Sequence, residues 1–422
     1  MFARHLYSNL LRLLKPAYVL RLWWRGRAEP LYRHAIGERL GDYQGAAQAG
    51  ALWVHAVSLG ETRAAAALVD ALRARHPQLR LLLTHSTATG REAGKALLRE
   101  GDVQAWLPYD TPGVVQRFFR QFKPVAGVLM ETEIWPNLLH AAQAAGVPMV
   151  LANARLSAKS HRQGQRLSSV MYPAAATLRI ALAQTEDDAV RLRESGVREV
   201  VVCGNLKFDM TPDPSLVARG RAWAGRLGRP VVMAAASREG EEAMLLAAWT
   251  TLPAVRRPLL LIVPRHPQRF DEVAGLVTAQ GLSLARRSSW QEEPGDSAWQ
   301  ADVWLGDSMG EMPLYYGMSN VALLGGSFAQ LGGQNLIEAA ACGCPVVMGP
   351  HTFNFAEAAA LSIAAGAALR VADMPEGVAR AVALSGAEER AQYAERAVAF
   401  AGQHRGAAGR MADRISPLLA LR

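Results

Sequence analysis

One glutamate stands where a predicted strand turns into a predicted helix. The apolar run ALWVHAV, residues 51–57, breaks at Ser-Leu-Gly, and Glu61 follows at the head of an alanine-rich helix. A carboxylate is stabilised at a helix N-terminus by the free N–H groups and the helix dipole, so the ordinary interpretation is that Glu61 only stabilises its helix. The alternative is that the turn presents this carboxylate for chemistry.

Two more acids and a lysine follow later strands of the first half. In METEIWPNL, Glu131 and Glu133 come directly after a predicted strand. Acids two positions apart bind a divalent metal, orient a polar acceptor, or cap the helix that begins after Pro136. In GNLKFD, Lys207 either binds a negatively charged ligand or is a solvated surface lysine. The residues alone leave these alternatives open.

The second half carries polar clusters after three predicted strands. Arg265 and His266 follow the first of them, and GDSMGE, residues 306–311, follows the second. After the third comes the glycine-rich stretch GGSFAQLGGQNLIEAA, in which glycines would let the backbone approach a ligand and the helix opening at Asn335 would aim N–H groups at a phosphate. Glu338 lies one turn along the same helical face, where it could accept hydrogen bonds from a ribose diol. A glycine-rich turn of purely structural origin is the alternative.

The elements that position these residues alternate regularly from residue 51. Short apolar runs bounded by turns alternate with amphipathic stretches, a pattern typical of parallel sheets covered by helices on both faces. The expected strands of the first half are ALWVHAV, LRLLLTH, VQAWLP, VAGVLM, VPMVLAN, RIALAQ and EVVVCGN. Those of the second half are PVVMAAAS, PLLLIVPRH, DVWLGDS, NVALLGGS, CPVVMGP and AALRV. Ligands in such folds bind beyond the carboxyl ends of strands, where the polar clusters stand.

The pattern predicts two α/β lobes that face each other across a cleft. Residues 46–205 form the first Rossmann-like lobe, the Pro-containing passage 206–229 is a linker, and residues 230–422 form the second lobe. Neither GxGxxG after the first strand nor GxxxxGK[ST] occurs, which disfavours dinucleotide oxidoreductases and P-loop enzymes.

The first 45 residues are unusually basic and aromatic. They carry eight Lys and Arg residues against three acids, which is +5 of the chain's net charge of +9. In NLLRLLKPAYVLRLWWRGR, leucine and tryptophan interleave with cations, so no window of about 18 uncharged apolar residues exists to span a membrane. The segment is predicted to lie on an anionic membrane surface, whereas a nucleic-acid-binding arm is the less favoured alternative. No removable signal peptide is expected.

Composition and cysteines narrow the class of protein. With 422 residues, of which 50% are hydrophobic and 20% charged, the chain can bury large cores and is neither disordered nor fibrous. Its three cysteines form no CxxC pair and no zinc spacing with histidine, which indicates small buried thiols in a reducing compartment.

Together the motifs resemble one enzyme family. HAVSLGE, METEIWPNL, NARLS, GNLKFD, PRHPQRF, GDSMGEM and GGSFAQLGGQNLIEAA occur in the order and approximate spacing of the Kdo transferases of lipopolysaccharide synthesis, and the resemblance runs essentially end to end. It implies an inverting glycosyltransferase of the GT-B type that moves 3-deoxy-D-manno-oct-2-ulosonic acid (Kdo) from CMP-Kdo to a lipid A precursor. The resemblance also implies that the enzyme acts at the cytoplasmic face of the inner membrane. It implies no cofactor, no metal and no nucleic-acid partner.

The resemblance assigns roles residue by residue. It implies that Glu61 is the catalytic base, kept ionised by its helix, and that Glu131 and Lys207 support the transition state. The implied contacts to CMP are Arg265, His266, Met309, Gly310, Glu311, Asn335, Leu336, Ile337 and Glu338. Gln334 departs from the family pattern, where histidine is frequent. A UDP-sugar transferase or epimerase of the same fold, and a catalytically silent membrane-attached binding protein, are the alternatives.

Overall fold

The computed structural model describes residues 2–45 and 49–419, and the chain divides into two compact units. The first unit contains the residues up to Met210 together with those from His404 onward, and the second contains Thr211–Gln403. Each unit is built on one parallel sheet of seven strands. The prediction of two α/β units from the alternating pattern is therefore confirmed.

The strands occupy these ranges: β1 Leu52–His55, β2 Leu81–His85, β3 Val103–Trp106, β4 Ala126–Met130, β5 Met149–Ala154, β6 Ile180–Ala183, β7 Val200–Val202, β8 Val231–Ser237, β9 Leu259–Pro264, β10 Leu284–Arg286, β11 Val303–Leu305, β12 Val321–Leu324, β13 Val346–Met348 and β14 Ala368–Arg370. The first sheet has the order β3-β2-β1-β4-β5-β6-β7 and the second the order β10-β11-β9-β8-β12-β13-β14. Because β1 lies between β2 and β4, the strand order reverses there, which is the position where open α/β sheets bind ligands.

The helices occupy these ranges: α1 Phe2–Arg25, α2 Ile36–Arg39, α3 Leu59–Arg75, α4 Ala88–Gly94, α5 Pro112–Phe122, α6 Pro136–Ala144, α7 Ala158–Gln165, α8 Ser168–Ala175, α9 Glu186–Glu194, α10 Pro214–Leu227, α11 Glu241–Thr250, α12 Phe270–Ala279, α13 Met312–Met318, α14 Leu336–Ala341, α15 Ala356–Ala364, α16 Met374–Ser385, α17 Arg390–Gln403 and α18 Ala407–Leu419. Apolar side chains from both faces of each sheet pack against these helices, which is why the central strands are mostly apolar.

The expected boundaries need three corrections. Passage 206–229 is not a linker. Leu206–Asp209 forms a 3-10 helix of the first unit, and α10 belongs to the second unit. Helix α10 packs so closely there that a Cβ on Gly220 would lie 2.1 Å from the carbonyl oxygen of Leu314. The second lobe does not extend to residue 422, since α18 packs on α3 of the first unit. Strand β10 was not predicted, because it is a half-buried edge strand of three residues that includes Arg286.

The basic N-terminal segment is a helix docked on the first unit and not a separate domain. The hydroxyl of Tyr7 donates to Asp110 (2.9 Å), and that of Ser8 donates to the side-chain oxygen of Asn137 (3.0 Å). Large apolar side chains remain exposed on the rest of α1, namely Phe2, Leu6, Leu10, Leu13, Leu14, Leu20, Trp23 and Trp24. Within the described residues, no helix has the length and apolar character that crossing a membrane requires.

Candidate active site

Glu61 lies in the first turn of α3, directly beyond the carboxyl end of β1. The Ser58 side chain caps the helix by accepting from the Glu61 N–H, and Glu61 in turn accepts from the Val57 N–H (2.8 Å) and from the Ser58 hydroxyl (3.2 Å). This reciprocal arrangement is close to a capping box and fixes the carboxylate at the turn. Glu61 therefore does stabilise the start of its helix, as the ordinary interpretation predicts.

The protonation of Glu61 differs from the expectation that its carboxyl is ionised. The helix N-terminus was expected to keep Glu61 ionised, but burial raises the pKa of this carboxyl from 4.5 to about 7, against the lowering effect of the Val57 N–H. The charges of Glu131 and Glu133 contribute to this raised pKa. Desolvation outweighs the helix here because a buried carboxylate loses more hydration than one N–H group restores. A carboxyl with a pKa near 7 is matched to accepting a proton at neutral pH.

Glu131 and Lys207 form an ion pair in the same unit. The Lys207 Nζ lies 3.6 Å from Glu131 Oε1, and each side chain is about one-fifth exposed, at 19% and 21%. Glu131 follows β4 with φ at +59°, a conformation that is strained for a residue with a side chain and that clusters at functional sites. The 3-10 helix that carries Lys207 is held in place because Asn153 accepts the Leu206 N–H (3.0 Å). Lys207 is therefore not the solvated surface lysine of the alternative, and its binding of a negatively charged ligand stays a prediction.

Glu133 also belongs to this cluster. From the residues alone, Glu133 could not be distinguished from Glu131. It accepts from the Trp135 indole N–H (2.6 Å), and its Oε2 lies 3.8 Å from Nε2 of the fully buried His55. Burial raises the pKa of Glu133, and the charge of Glu131 adds to the shift. Burial lowers the pKa of His55 to about 3, so this imidazole is neutral at neutral pH.

The capping alternative for the acid pair is wrong. Helix α6 is capped by Asp110, which accepts from the N–H groups of Asn137 (3.2 Å) and Leu138 (2.7 Å). Asp110 comes from the loop after β3, and it also receives the Tyr7 hydroxyl. With α6 capped in this way, Glu131 and Glu133 are not its caps, and their charges instead help to raise the pKa of Glu61.

The rate of any reaction that uses Glu61 as a base should rise with pH through about 7. The base is the deprotonated form, so a group with a pKa of about 7 is half active at that pH, roughly one-tenth active one unit below it and roughly nine-tenths active one unit above it. Glu133→Gln removes a negative neighbour that raises the Glu61 pKa, so the midpoint should move to lower pH. The pH dependence of kcat measures this shift.

The matched control is Asp70→Asn, which removes an exposed acid farther along the same helix. Its midpoint should equal that of the unaltered protein. A midpoint that moves equally in both variants, or in neither, contradicts the assignment of this titration to Glu61.

In the second unit, Arg265 and His266 follow β9 at its carboxyl end. The Arg265 N–H donates to the Ser237 carbonyl, which fixes the backbone, while the Arg265 side chain is exposed. His266 Nε2 lies 3.9 Å from Glu239 Oε1. Burial and the neighbouring Arg238 lower the pKa of His266, so a neutral imidazole is favoured there.

Some residues of the loop 306–311 are exposed, and others hold the loop in place by hydrogen bonds. Met309 is 60% exposed, and Gly310 has φ at +84°, a conformation that glycine adopts without strain. Glu311 accepts from Arg219 (2.9 Å) and Arg287 (2.8 Å). The carboxylate of Glu311 therefore ties α10 to this loop, and Met309 and Gly310 are the parts open to a ligand.

The glycine-rich loop is shaped largely by packing within the protein. A Cβ on Gly325 would lie 2.1 Å from the Ala236 carbonyl oxygen, so this glycine is required by a neighbouring strand. Glu241, which is 2% exposed, accepts from the N–H groups of Gly326 (2.7 Å) and Phe328 (3.0 Å). The structural interpretation thus holds for this part of the loop, and Glu241 is a residue that the sequence reasoning missed.

Helix α14 also differs from the expectation. The Asn335 side chain caps its own helix by accepting the Ile337 N–H (3.1 Å), so that N–H is not available to a phosphate. The side chains of Leu336 and Ile337 are each 1% exposed and belong to the core. Glu338 is partly exposed, and it remains the side chain of this stretch that fits a diol.

Comparison with known proteins decides the family. A family model described as 3-deoxy-D-manno-octulosonic-acid transferase (kdotransferase) matches residues 34–210. A 3-deoxy-D-manno-octulosonic acid transferase of Bordetella pertussis is 48% identical over 430 residues, covering 99% of each chain. The chain belongs to the Kdo transferase family. A second Kdo transferase, that of Haemophilus influenzae, is 34% identical and also covers 99% of each chain.

The fold of this Kdo transferase is that of GT-B enzymes. A glycosyltransferase structure from Rickettsia africae superimposes with a TM-score of 0.58 at 12% identity, covering 88% of this chain and 99% of that chain. The family membership favours Kdo transfer over the UDP-sugar transferase or epimerase alternative. In this Kdo transferase, the part matched by the family model includes Glu61, Glu131 and Lys207. Within residues 2–45 and 49–419, no group of three His, Cys, Asp or Glu side chains is arranged to hold a metal ion.

Proposed function

We propose that the protein transfers Kdo from CMP-Kdo to a lipid A precursor with inversion at the anomeric carbon. The observation that carries this proposal is the cluster at the carboxyl ends of β1 and β4. There, Glu61 has a pKa of about 7 beside the Glu131–Lys207 ion pair, in a member of the Kdo transferase family. A carboxyl matched to neutral pH and a nearby cation are the groups that a sugar transfer to a hydroxyl requires.

The proposed chemistry begins with the acceptor. Glu61 accepts the proton of a glucosamine hydroxyl while the oxygen attacks the anomeric carbon of Kdo from the face opposite to CMP. The bond from that carbon to the phosphate oxygen breaks, and both electrons leave with CMP. Attack from the opposite face inverts the anomeric carbon, so a β-configured donor gives an α-linked product.

The two units divide this work. Glu61 and the Glu131–Lys207 pair belong to the first unit, and we assign CMP binding to the second. There Arg265 supplies positive charge for the phosphate, and Glu338 supplies an acceptor for the ribose hydroxyls. Glu311 and Asn335 position these loops through their own hydrogen bonds, so their contribution to CMP binding is indirect.

The test is incubation of the protein with CMP-Kdo and a tetra-acylated lipid A precursor, followed by mass measurement of the products. The expected result is a mass increase by one or more Kdo residues together with release of CMP. Release of CMP without a modified lipid, or a product formed equally well from a UDP-sugar, would contradict the proposal.

Transfer should not depend on a divalent cation. The leaving group is a nucleoside monophosphate, and Arg265 and Lys207 supply positive charge of the kind that metal ions provide in other transferases. Exhaustive treatment with EDTA should therefore leave the rate of CMP release nearly unchanged. A rate that falls with EDTA and returns with magnesium would instead make Glu131 and Glu133 metal ligands.

We propose further that α1 attaches the enzyme to the cytoplasmic face of the inner membrane. Its exposed leucines and tryptophans would enter the headgroup boundary, and its cations would meet anionic lipid. Arg12 and Arg21 of α1, and Arg27 just beyond its end, are exposed, whereas Arg25 stacks over the Tyr32 ring at 4.2 Å.

Reversal of charge at Arg12, Arg21 and Arg27 should weaken binding to anionic vesicles. Each cation near an anionic surface contributes about 1 kcal/mol, so three glutamates should reduce binding at low salt by about 100-fold or more. Vesicle flotation measures this. The matched control reverses the exposed Arg99, Arg193 and Arg198 of the same unit and should bind as before. Equal loss in both variants would show a general effect of net charge and not a role of α1.

A further inference from the structure

Helices α5 and α6 border a groove on the first unit that the proposed reaction does not use. The groove has a volume of about 890 Å³, within the range of about 300–1,000 Å³ that is usual for ligand pockets. Its floor includes the buried side chains of Val115, Phe119 and Val147. We call it the α5–α6 groove.

The charged residues that line the α5–α6 groove are all cationic or titrate to a cation. They are Arg4, Arg120, Lys123 and His140, and no Asp or Glu belongs to the described lining. In the described part of the chain, Arg4, Arg120 and Lys123 form no ion pair with a carboxylate. Burial lowers the pKa of His140, and the charge of Arg4 lowers it further. An apolar floor with unneutralised cations around it is complementary to an anionic amphiphile.

The groove adjoins α1. Arg4 lies one helical turn before Ser8, whose hydroxyl is bonded to Asn137 of α6, so Arg4 is on the docked face of α1 and reaches the rim of the groove. Phe2 and Leu6, on either side of Arg4 in sequence, are 83% and 63% exposed. The groove therefore opens beside the apolar surface that we propose to enter the bilayer.

We propose that the α5–α6 groove binds one anionic phospholipid, with an acyl chain on the floor of Val115, Phe119 and Val147 and the phosphate held by cations of the rim. This proposal extends the proposed membrane attachment, but the site is a lipid-binding site of its own and takes no part in the transfer of Kdo. Such a lipid would fix the first unit to the membrane at a defined position, which adsorption by α1 alone would not do.

The test uses dihexanoyl-phosphatidylglycerol, dissolved below its micelle concentration, and titration calorimetry with the full-length protein and no CMP-Kdo. Saturable binding of one lipid is expected. The paired change Arg120→Glu and Lys123→Glu should weaken it by about tenfold or more, by the loss of two cations. Ala144→Trp, at an exposed position of the lining, should weaken it about as much by filling the groove with no change of charge.

Two controls match these variants. Val190→Trp places the same side chain on α9, and Arg193→Glu with Arg198→Glu makes the same change of charge elsewhere on the unit, so both should bind lipid normally. Unaltered affinity in Ala144→Trp would overturn the proposal, because the acyl chain would not lie in the groove. Equal affinity for inorganic phosphate, for an acidic peptide or for dihexanoyl-phosphatidylcholine would also overturn it. Glu61→Gln should bind the lipid normally, which separates a failure here from a failure of the proposed transfer reaction.

Discussion

Replacement of Glu61 by glutamine should lower the rate of Kdo transfer by about 100-fold or more, the usual scale for loss of a general base. Glutamine keeps the size of the side chain and can still accept the Val57 N–H, but it cannot accept a proton from the attacking hydroxyl. Affinity for CMP should change little, because the proposed nucleotide contacts belong to the other unit. Turnover, CMP affinity and thermal midpoint measured on one preparation test this expectation.

Stability distinguishes this role from simple helix capping. The folded protein raises the Glu61 pKa to about 7, so the contribution of this carboxyl to stability is complete below about pH 4.5 and is lost as the pH rises through 7. At pH 8 the glutamine variant should therefore be at least as stable as the unaltered protein. A pure cap predicts the reverse, a loss of up to about 1 kcal/mol with turnover intact. Near-normal turnover in Glu61→Gln would remove the assignment of Glu61 as the base.

Lys207→Met should lower the rate of transfer by about 100- to 1,000-fold, the scale for removal of one group that stabilises developing charge. The change removes the cation paired with Glu131 and keeps most of the aliphatic stem. If the two residues act as a unit, adding Glu131→Gln should cost little more than the first change alone. Single-turnover rates for the two single variants and the double variant measure this coupling.

Lys95→Met is the matched control, because Lys95 forms an exposed ion pair with Glu92 (2.7 Å) on the same unit. Exposed pairs contribute about 0 to 1 kcal/mol, so this variant should retain activity and stability. A Lys207→Met enzyme within threefold of the normal rate, or full additivity of the two changes, would mean that the pair is structural.

The fold follows closely from the sequence because the strands are buried on both faces. LLLIV and VALL have no polar position to confuse the pattern, and thirteen of the fourteen strands were predicted. The exception, β10, is an edge strand that reads Leu-Ala-Arg and carries no such pattern. The return of α18 to the first unit was not predictable either, since an amphipathic helix specifies the face it buries but not the sheet that receives it.

The positions of Glu61, Glu131 and Arg265 beyond the carboxyl ends of strands were predictable from the sequence, and their roles stay predictions. The protonation of Glu61 was not predictable, because it depends on a balance between burial, one N–H group and two acids that come from another strand. Glu241 was missed for a related reason. It stands 85 residues before Gly326, whose N–H it accepts, and no local signal connects an acid on one helix with a loop so distant in sequence.

The return of α18 to the first unit affects the order in which the cores of the two units can be completed. Residues Ala408, Met411, Ala412 and Ile415 belong to the same core as Leu68 and Leu72 of α3, the helix that begins at the Glu61 turn. On the ribosome, residues 407–419 are synthesised after the whole of the second unit, so the core beneath α3 is completed only after residues 211–403 have been made. The first unit is therefore built from two segments of the chain, whereas the second is built from one. Helix α3, which carries Glu61, therefore acquires its full support only after the second unit has been synthesised.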